Sequence, residues 1–251
     1  MLGGLVLGCE RGHRFDANRR GFLSAIDAGA GIAGDTREIL EARARFLDLG
    51  HYRPIMDAVA ASMPPSPSLR VLDAGSGTGH YLAHVLSAGS DRTGLALDAS
   101  SPAVALSVAR TGSPGLVADT WKPLPVRSGR ADVILCVFAP RNAAEFARIL
   151  TPNGALVVVT PTPHHLVELR EAGLTIGMQE DKLDALTRTL DESFRQSAHS
   201  RLSFALTLDA EAGAALASMG PSGHHERSGG WEGGTVTAGV DVTVWRPTAA
   251  S

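Results

Sequence analysis

The chain has 251 residues, enough for one complete α/β domain and a small additional module. Hydrophobic residues make up 44% and charged residues 20% of it, which is the composition of an ordinary globular protein. A net charge of -3 excludes a globally basic chain, so any affinity for nucleic acid must come from a local patch. No apolar run approaches the roughly 20 residues of a membrane helix and two cysteines cannot form a disulfide framework, so we expect a cytoplasmic protein without a membrane partner.

The predicted elements alternate regularly along most of the chain. Residues 35–63 are predicted to be helical with a break at Gly50, and the prolines of residues 64–68 end this region. Short apolar runs then alternate with amphipathic stretches, which is typical of a parallel sheet covered by helices on both faces. The predicted strands are 70–73, 93–98, 116–119, 131–137 and 155–160, and the predicted helices are 81–88, 101–110 and 143–150.

The last third of the chain predicts a different pattern. Beyond Leu166 a long helical region is expected to extend to about Ser193. Residues 203–208 and 235–245 are then predicted to be strands, with residues 222–234 between them as a mobile loop. We interpret the two strands as an antiparallel pair that closes the sheet.

A glycine-rich turn after the first strand of this sheet is the strongest functional signal. Residues 71–79 have the sequence V-L-D-A-G-S-G-T-G, in which an apolar run ends at Asp73. Glycines let the backbone turn tightly and let a ligand approach without meeting a Cβ. Asp98 ends the next predicted strand, where a carboxylate can accept hydrogen bonds from ribose hydroxyls. The sequence therefore predicts a nucleotide-type cofactor site formed by these two acids and by Gly75, Ser76, Gly77, Thr78 and Gly79.

The acid before the glycines distinguishes between cofactors. A pyrophosphate requires free N–H groups and positive charge, so Asp73 would repel it. The amino and sulfonium groups of S-adenosylmethionine are cationic and favour a neighbouring carboxylate. Asp119 ends the third predicted strand and is predicted to lie near the adenine. These features favour S-adenosylmethionine over a nicotinamide cofactor, and the alternative is that Asp73 and Asp98 are ordinary solvated acids at strand ends.

The predicted fold class is α/β, a Rossmann-like class I S-adenosylmethionine-dependent methyltransferase with a mainly parallel sheet, a closing antiparallel pair and a small N-terminal module. Ligands bind at the carboxyl ends of parallel strands, so residues 138–141, which follow the fourth strand, should line the substrate side. Cys136 lies inside that strand and is expected to be a small core residue.

Short motifs spread over essentially the whole chain resemble the 23S ribosomal RNA (guanine-N1)-methyltransferases. They are Cys9-x3-His13, G-H-Y-R-P at 50–54, V-F-A-P-R-N at 137–142 and M-G-P-S at 219–222, of which the third is most similar to the tylosin-resistance branch. The resemblance implies methylation of guanine N1 in an unstacked hairpin loop of 23S rRNA. In the tylosin branch such a methyl group hinders macrolide binding, and housekeeping modification is the other option. Homodimers occur in the family, but the sequence leaves the oligomeric state open.

The resemblance also divides the chain into a remnant of a zinc-binding RNA-recognition module at 1–33, linker helices at 34–68 and a methyltransferase domain at 69–251. The family module binds zinc through Cys-x2-Cys and a later Cys-x3-His, of which only Cys9 and His13 are present. Structural zinc requires four protein ligands, so we expect no stable zinc site in the chain as given. Either the start codon lies further upstream, or the chain has been trimmed, or zinc has been lost. The first is favoured because residues 5–7 resemble the strand before the second ligand pair.

Two further cofactor residues are implied by the same resemblance, Tyr52 and His165. An aromatic face beside a sulfonium or ammonium group is favourable. The alternatives are that Tyr52 only packs a helix on the sheet and that His165 is a surface histidine. Guanine N1 carries a proton at neutral pH, so a base is needed, but the sequence assigns none. Six arginines form either an RNA-binding patch or a solvated, salt-bridged face: Arg14, Arg19, Arg20, Arg43, Arg45 and Arg53.

Two other functions remain open at this point. A small-molecule methyltransferase of natural-product tailoring would keep the glycine turn but would not need the Cys-x3-His remnant. A cofactor-binding protein without rRNA activity is the other alternative, because the zinc module is incomplete.

Overall fold

The centre of the structure is an eight-stranded sheet whose strands alternate with helices along the chain. The computed structural model describes residues 6–8, 14–16, 18–26, 35–174, 187–219 and 231–248. In a separate small sheet, β1 (Val6–Gly8) pairs antiparallel with β2 (Arg14–Asp16). The strands of the large sheet are β3 (Phe22–Ser24), β4 (Ser68–Ala74), β5 (Asp91–Asp98), β6 (Gly115–Val117), β7 (Ala131–Val137), β8 (Leu150–Pro161), β9 (Phe194–Asp209) and β10 (Gly233–Pro247).

The order of the strands places a crevice at the carboxyl end of β4. Across the sheet the order is β3-β6-β5-β4-β7-β8-β10-β9, parallel from β3 to β8, with β10 antiparallel to both of its neighbours. From β4 the chain continues to β5 on one side and later returns to β7 on the other. Ligands bind at such a switch point in open α/β sheets. The predicted α/β class and the closing antiparallel pair are confirmed.

Helices flank this sheet on both sides, and capping side chains mark the first turn of several of them. Side-chain oxygens of Thr36, Ser100, Asn142 and Asp209 each accept a hydrogen bond from a backbone N–H in a first helical turn. Gly50, with φ of +80°, lies in the turn between the first two helices, which confirms the predicted break. The helices are α1 (Arg37–Asp48), α2 (Arg53–Ala61), α3 (His80–Ser87), α4 (Ser101–Thr111), α5 (Ala143–Ile149), α6 (Val167–Glu171) and α7 (Ala210–Ser218).

Two apolar clusters cover the two faces of the sheet, because successive strand residues point to opposite sides. On β4, Val71 belongs to one cluster and Leu72 to the other. The first cluster includes Phe46 of α1 and Ile55 of α2, so these two helices pack directly on the sheet. Cys136 is fully buried in the second cluster, as predicted, and burial raises the pKa of its thiol to about 12.

The C-terminal third departs from the prediction of a long helical region from Leu166 to about Ser193, although residues 187–190 within it are helical. Helix α6 ends at Glu171, and Gly173 follows with φ of +73°, a left-handed conformation that stops helices. Residues 175–186 lie outside the described residues, as do 222–230 of the predicted loop, and Gly233 already belongs to β10. Strand β9 begins earlier than predicted. The prediction missed its first residues because almost all of them are exposed and show no apolar alternation. Helix α7 has no counterpart in the prediction.

None of the helices in the described ranges is long and apolar enough to cross a membrane.

Candidate active site

The glycine-rich turn lies between the ends of β4 and β5. Gly75 N and Ser76 N both donate to the carbonyl oxygen of Leu97, at 2.8 and 2.9 Å, which ties the turn to β5. Gly79 N donates to Ser76 O at 2.8 Å and closes the turn before α3 begins. The turn is therefore held in place by main-chain hydrogen bonds.

Close packing explains why the first and last positions of this turn, Gly75 and Gly79, are occupied by glycine. A Cβ on Gly75 would lie 2.4 Å from Ala139 Cβ, in the segment that follows β7. A Cβ on Gly79 would lie 2.6 Å from Ser107 Oγ of α4. Both residues also have positive φ, +82° and +77°, which side chains rarely adopt. The turn is thus clamped between the substrate-side segment and α4.

Asp98 closes the turn from the end of β5. Its Oδ2 accepts a hydrogen bond from Gly77 N at 3.0 Å, and its Oδ1 accepts one from Ser100 N at 2.9 Å. Burial raises the pKa of this carboxyl, and the two backbone donors act against that rise. Asp98 is therefore a partly buried structural acceptor rather than a solvated acid, and its remaining lone pairs are available to a ligand.

Asp73 is buried beneath the turn with only 2% of its surface exposed. Burial, and then the negative charge of Asp98, raise the pKa of Asp73 to about 7. A buried carboxylate of this kind favours a cationic partner.

Two hydroxyls near the turn have no hydrogen-bond partner among the described residues. They are Ser76 Oγ in the turn and Tyr81 Oη in the first turn of α3, and both atoms are buried. Burial raises the pKa of Tyr81 well above its usual range, and the neighbouring Tyr52 and Asp73 raise it further. Sequence reasoning treated Tyr81 only as the start of a helix. Its place two residues after the last glycine of the turn is the signal that was available.

The rings of Tyr52, His165 and Phe138 form a cluster beside the turn, which we call the aromatic cluster. Tyr52 Oη lies 3.3 Å from His165 Nε2, and Gly239 N donates to His165 Nδ1 at 3.2 Å. Since Nδ1 accepts, the neutral imidazole carries its proton on Nε2, which donates to Tyr52. His165 is buried, so the surface-histidine alternative is wrong. Tyr52 is buried as well and packs in the core, as the structural alternative required.

Two other predicted residues occupy the same edge with side chains already engaged. Asp119 lies just beyond β6, and its Oδ1 accepts a hydrogen bond from Trp121 N at 3.0 Å. The strand before it ends at Val117, two residues short of the prediction. Thr78 Oγ1 lies 2.8 Å from His80 Nδ1, so its hydroxyl faces that histidine.

The predicted metal ligands Cys9 and His13 lie outside the described residues. Across the described ranges, no three His, Cys, Asp or Glu side chains are arranged as metal ligands. Strand β1 begins at Val6, where the predicted N-terminal strand lies.

Arg43 has a different position from the surface patch that the sequence allowed. It is mostly buried, forms an ion pair with Asp35 at 2.5 Å and donates to Met219 O at 3.0 Å. A Cβ on Gly77 would lie 3.4 Å from its guanidinium. Arg43 therefore packs against the glycine turn. Arg53 is exposed and pairs with Asp57 on its own helix, a surface ion pair of small energetic weight.

The pKa of Asp73 predicts opposite pH dependences for stability and for cofactor affinity. A folded-state pKa of about 7, above the ordinary 3.8, means that the folded protein holds more protons than the unfolded chain between those values. The free energy of unfolding therefore falls as the pH rises through this window. Affinity for a cationic ligand rises through about pH 7, because the ionised carboxylate attracts it.

Calorimetric titration with S-adenosylmethionine and urea unfolding, both from about pH 5.5 to 7.5, check these trends. The matched control is Asp73→Asn, which should remove both pH dependences. An affinity that does not change with pH in the wild type would rule out Asp73 as the partner of a cation.

The strand order, the glycine turn and the carboxylate at the end of β5 together define a class I methyltransferase, the class that uses S-adenosylmethionine. Residues 72–158 match the family model described as a methyltransferase domain. A solved geranyl diphosphate methyltransferase in complex with S-adenosylmethionine has the same fold, with 15% identity and a TM-score of 0.52 over 86% of this chain and 93% of that one.

Similarity to curated relatives is closer and covers nearly the full length. The chain is 41% identical to the 23S rRNA (guanine(748)-N(1))-methyltransferase of Streptomyces fradiae, over 88% of this chain and 81% of the relative. It is 36% identical to a Micromonospora griseorubida protein whose name proposes guanine-N1 activity on 23S rRNA, over 96% of this chain and 90% of that protein. The chain belongs to the 23S rRNA (guanine-N1)-methyltransferase family.

Proposed function

We propose that this enzyme transfers the methyl group of S-adenosylmethionine to N1 of a guanine in a hairpin loop of 23S rRNA. The observation that carries the proposal is the 41% identity to the Streptomyces fradiae relative, which spans 88% of the chain. The match therefore extends well beyond residues 72–158, the part recognised as a general methyltransferase domain. Guanine 748, named for that relative, is the first candidate position.

The residues at the edge of the sheet fit the cofactor. The buried Asp73 carboxylate matches its cationic amino group, and Asp98 has free lone pairs for ribose hydroxyls. Asp119, beyond β6, is assigned to the adenine. The turn from Gly75 to Gly79 offers backbone without side chains, and the buried, unpartnered hydroxyl of Ser76 lies within it. Tyr52 and His165, held together by their hydrogen bond, are assigned to the methionine end.

The reaction is a displacement in line with the leaving sulfur. The bound cofactor supplies an electrophilic methyl group on its sulfonium. Guanine N1 attacks that carbon, the new N–C bond forms as the S–C bond breaks, and the N1 proton passes to a base. The protein contributes mainly by orienting the two reactants and by excluding water. His165 Nε2 donates to Tyr52, so this ring orients its neighbour.

The finer assignments from the family resemblance belong to the same proposal. Cys9 and His13 correspond to two of the four ligands of the family zinc site, a half-site that by itself is not expected to hold zinc. They lie within residues 1–33, the remnant of the family module that helps to recognise the hairpin. Residues 34–68 form the linker helices and 69–251 the methyltransferase domain. We place the enzyme in the cytoplasm, where its ribosomal substrate is made. Tylosin-type macrolide resistance and housekeeping modification are the two candidate outcomes, and the family resemblance allows a homodimer.

Methylation of a defined hairpin tests this function directly. We expect the protein, incubated with S-adenosylmethionine and the 23S rRNA hairpin that contains guanine 748, to produce a primer-extension stop at one loop guanine. N1-methylation blocks the pairing edge that reverse transcriptase reads. The control is the same hairpin with adenine in place of that guanine. Cofactor binding without any stop would favour a small-molecule methyltransferase or a binding protein.

A further inference from the structure

Phe138 has an unusual backbone conformation at the carboxyl edge of the sheet. It directly follows β7, and its φ is +54°. Within the described ranges, Leu166 is the only other non-glycine residue with a positive φ. This conformation is unfavourable for a bulky side chain and persists only where the surrounding structure imposes it. Strained residues of this kind cluster at ligand sites.

Contacts from several directions impose the conformation. Phe138 N donates to Val159 O of β8 at 3.1 Å. The Cys136 thiol, which burial keeps protonated, lies 3.4 Å from each of the carbonyl oxygens of Ala139 and Pro140. Ala139 also packs against the glycine turn at Gly75. The segment after β7 is therefore rigidly placed beside the turn.

The conformation brings the Phe138 ring out to the aromatic cluster. Alternation along β7 puts Cys136 in one core cluster and Val137 in the other, and Phe138 belongs to neither. Its ring centroid lies 6.4 Å from that of Tyr52 and 5.9 Å from that of His165. These two partners are buried, whereas 41% of Phe138 is exposed. It is the solvent-facing member of the aromatic cluster.

Other exposed apolar side chains of the described residues differ in position. Leu49 is 70% exposed, but it follows α1 and belongs to neither the turn nor the aromatic cluster. Trp121 is 69% exposed and follows β6, next to the residue assigned to the adenine. Phe138 alone of these three contacts the two rings assigned to the methionine end, where the methyl group is transferred.

We propose that Phe138 stacks on the target guanine and positions its N1 for methyl transfer. The inference rests on the proposed function, since it names the contact for the base. A base drawn out of an RNA loop loses its stacking neighbours, and an aromatic ring replaces them. A stack on the face of the base leaves the pairing edge, with N1, free to meet the cofactor.

An aromatic-to-aliphatic series tests the stack. Phe138→Leu removes the π face at similar volume, Phe138→Tyr retains it, and Phe138→Gly removes the ring while relieving the positive φ. We expect Leu and Gly to raise the KM for the hairpin about tenfold and Tyr to stay within about twofold of the wild type. Affinity for S-adenosylmethionine, measured by calorimetry, should be equal in all four proteins.

Binding to an abasic hairpin provides a readout that a purely structural role would not change. With S-adenosylhomocysteine present, wild type and Phe138→Tyr should bind the intact hairpin about tenfold more tightly than one lacking the target base. Phe138→Leu and Phe138→Gly should bind both hairpins equally. If the wild type methylates the hairpin but the Leu and Gly variants still prefer the intact hairpin as strongly as the wild type does, the stacking role of Phe138 is wrong and the proposed function stands. Absence of wild-type methylation would overturn the proposed function and the stack with it.

Discussion

Replacing Gly75 by alanine is expected to weaken cofactor binding about 100-fold or more, whereas the matched variant Gly112→Ala retains it. Gly75 has φ of +82°, and its new Cβ would lie 2.4 Å from Ala139 Cβ. Gly112 has φ of +66° with no atom within 4 Å of an added Cβ. The control therefore measures backbone strain alone, about 1 kcal/mol, while Gly75→Ala adds a steric overlap that either the turn or the next segment must relieve by moving.

The two variants separate strain from overlap quantitatively. We expect Gly75→Ala to lower the free energy of unfolding by about 3 kcal/mol in urea and Gly112→Ala by about 1 kcal/mol. Affinity for S-adenosylmethionine should fall about 100-fold or more in the first and remain unchanged in the second. Equal unfolding free energies for the two variants would show that the segment after β7 yields easily and does not fix the turn.

The second large effect is expected at Asp98. Asp98→Ala removes the acceptor of the Gly77 and Ser100 N–H groups together with the carboxylate assigned to the ribose. Each hydrogen bond to a charged acceptor is worth about 1.5–3 kcal/mol, so affinity for S-adenosylmethionine should fall about 100-fold or more. Calorimetric titration at a pH above 7, where the acids of the site are ionised, gives the measurement.

Asp132→Ala is the matched control for that variant. Asp132 also accepts a backbone N–H, from Arg70 at 2.9 Å, and pairs with the guanidinium of the same residue. It lies at the opposite end of the sheet, next to the amino-terminal residue of β7. We expect this variant to bind the cofactor like the wild type. If Asp98→Ala also kept its affinity within about threefold, the ribose assignment would be wrong.

The elements that the sequence predicted well are those whose residues are buried on both faces. Strand β7 was predicted with its observed bounds, Ala131–Val137, because its apolar run from Val133 to Val137 has one stable place in a parallel sheet. Strand β9 was predicted too short, since its exposed first half is recognised only by its pairing with β10. The helical region after Leu166 was wrongly predicted to continue through Gly173, because α6 ends before this glycine takes up a left-handed conformation; residues 187–190 are helical.

Some residues of the candidate site were predictable from the sequence and others were not. The glycine turn, Asp73 and Asp98 are neighbours because strands adjacent in the sheet end at one edge, and their spacing along the chain made this predictable. Tyr81 was missed, because nothing in the sequence shows that its hydroxyl is buried without a partner among the described residues. The positive φ of Phe138 was equally hidden, since contacts from β8 and from the glycine turn impose it.

By itself the sequence determined the fold class, the cofactor preference and the family resemblance, because these depend on periodicity and on residue types at short spacing. Only the tertiary structure decided which side chains are buried together and with what ionisation. Burial and the neighbouring Asp98 set the pKa of Asp73, and the packing of Ala139 on Gly75 fixes the segment that presents Phe138. Such properties arise from residues distant in the chain, whose proximity exists only after folding.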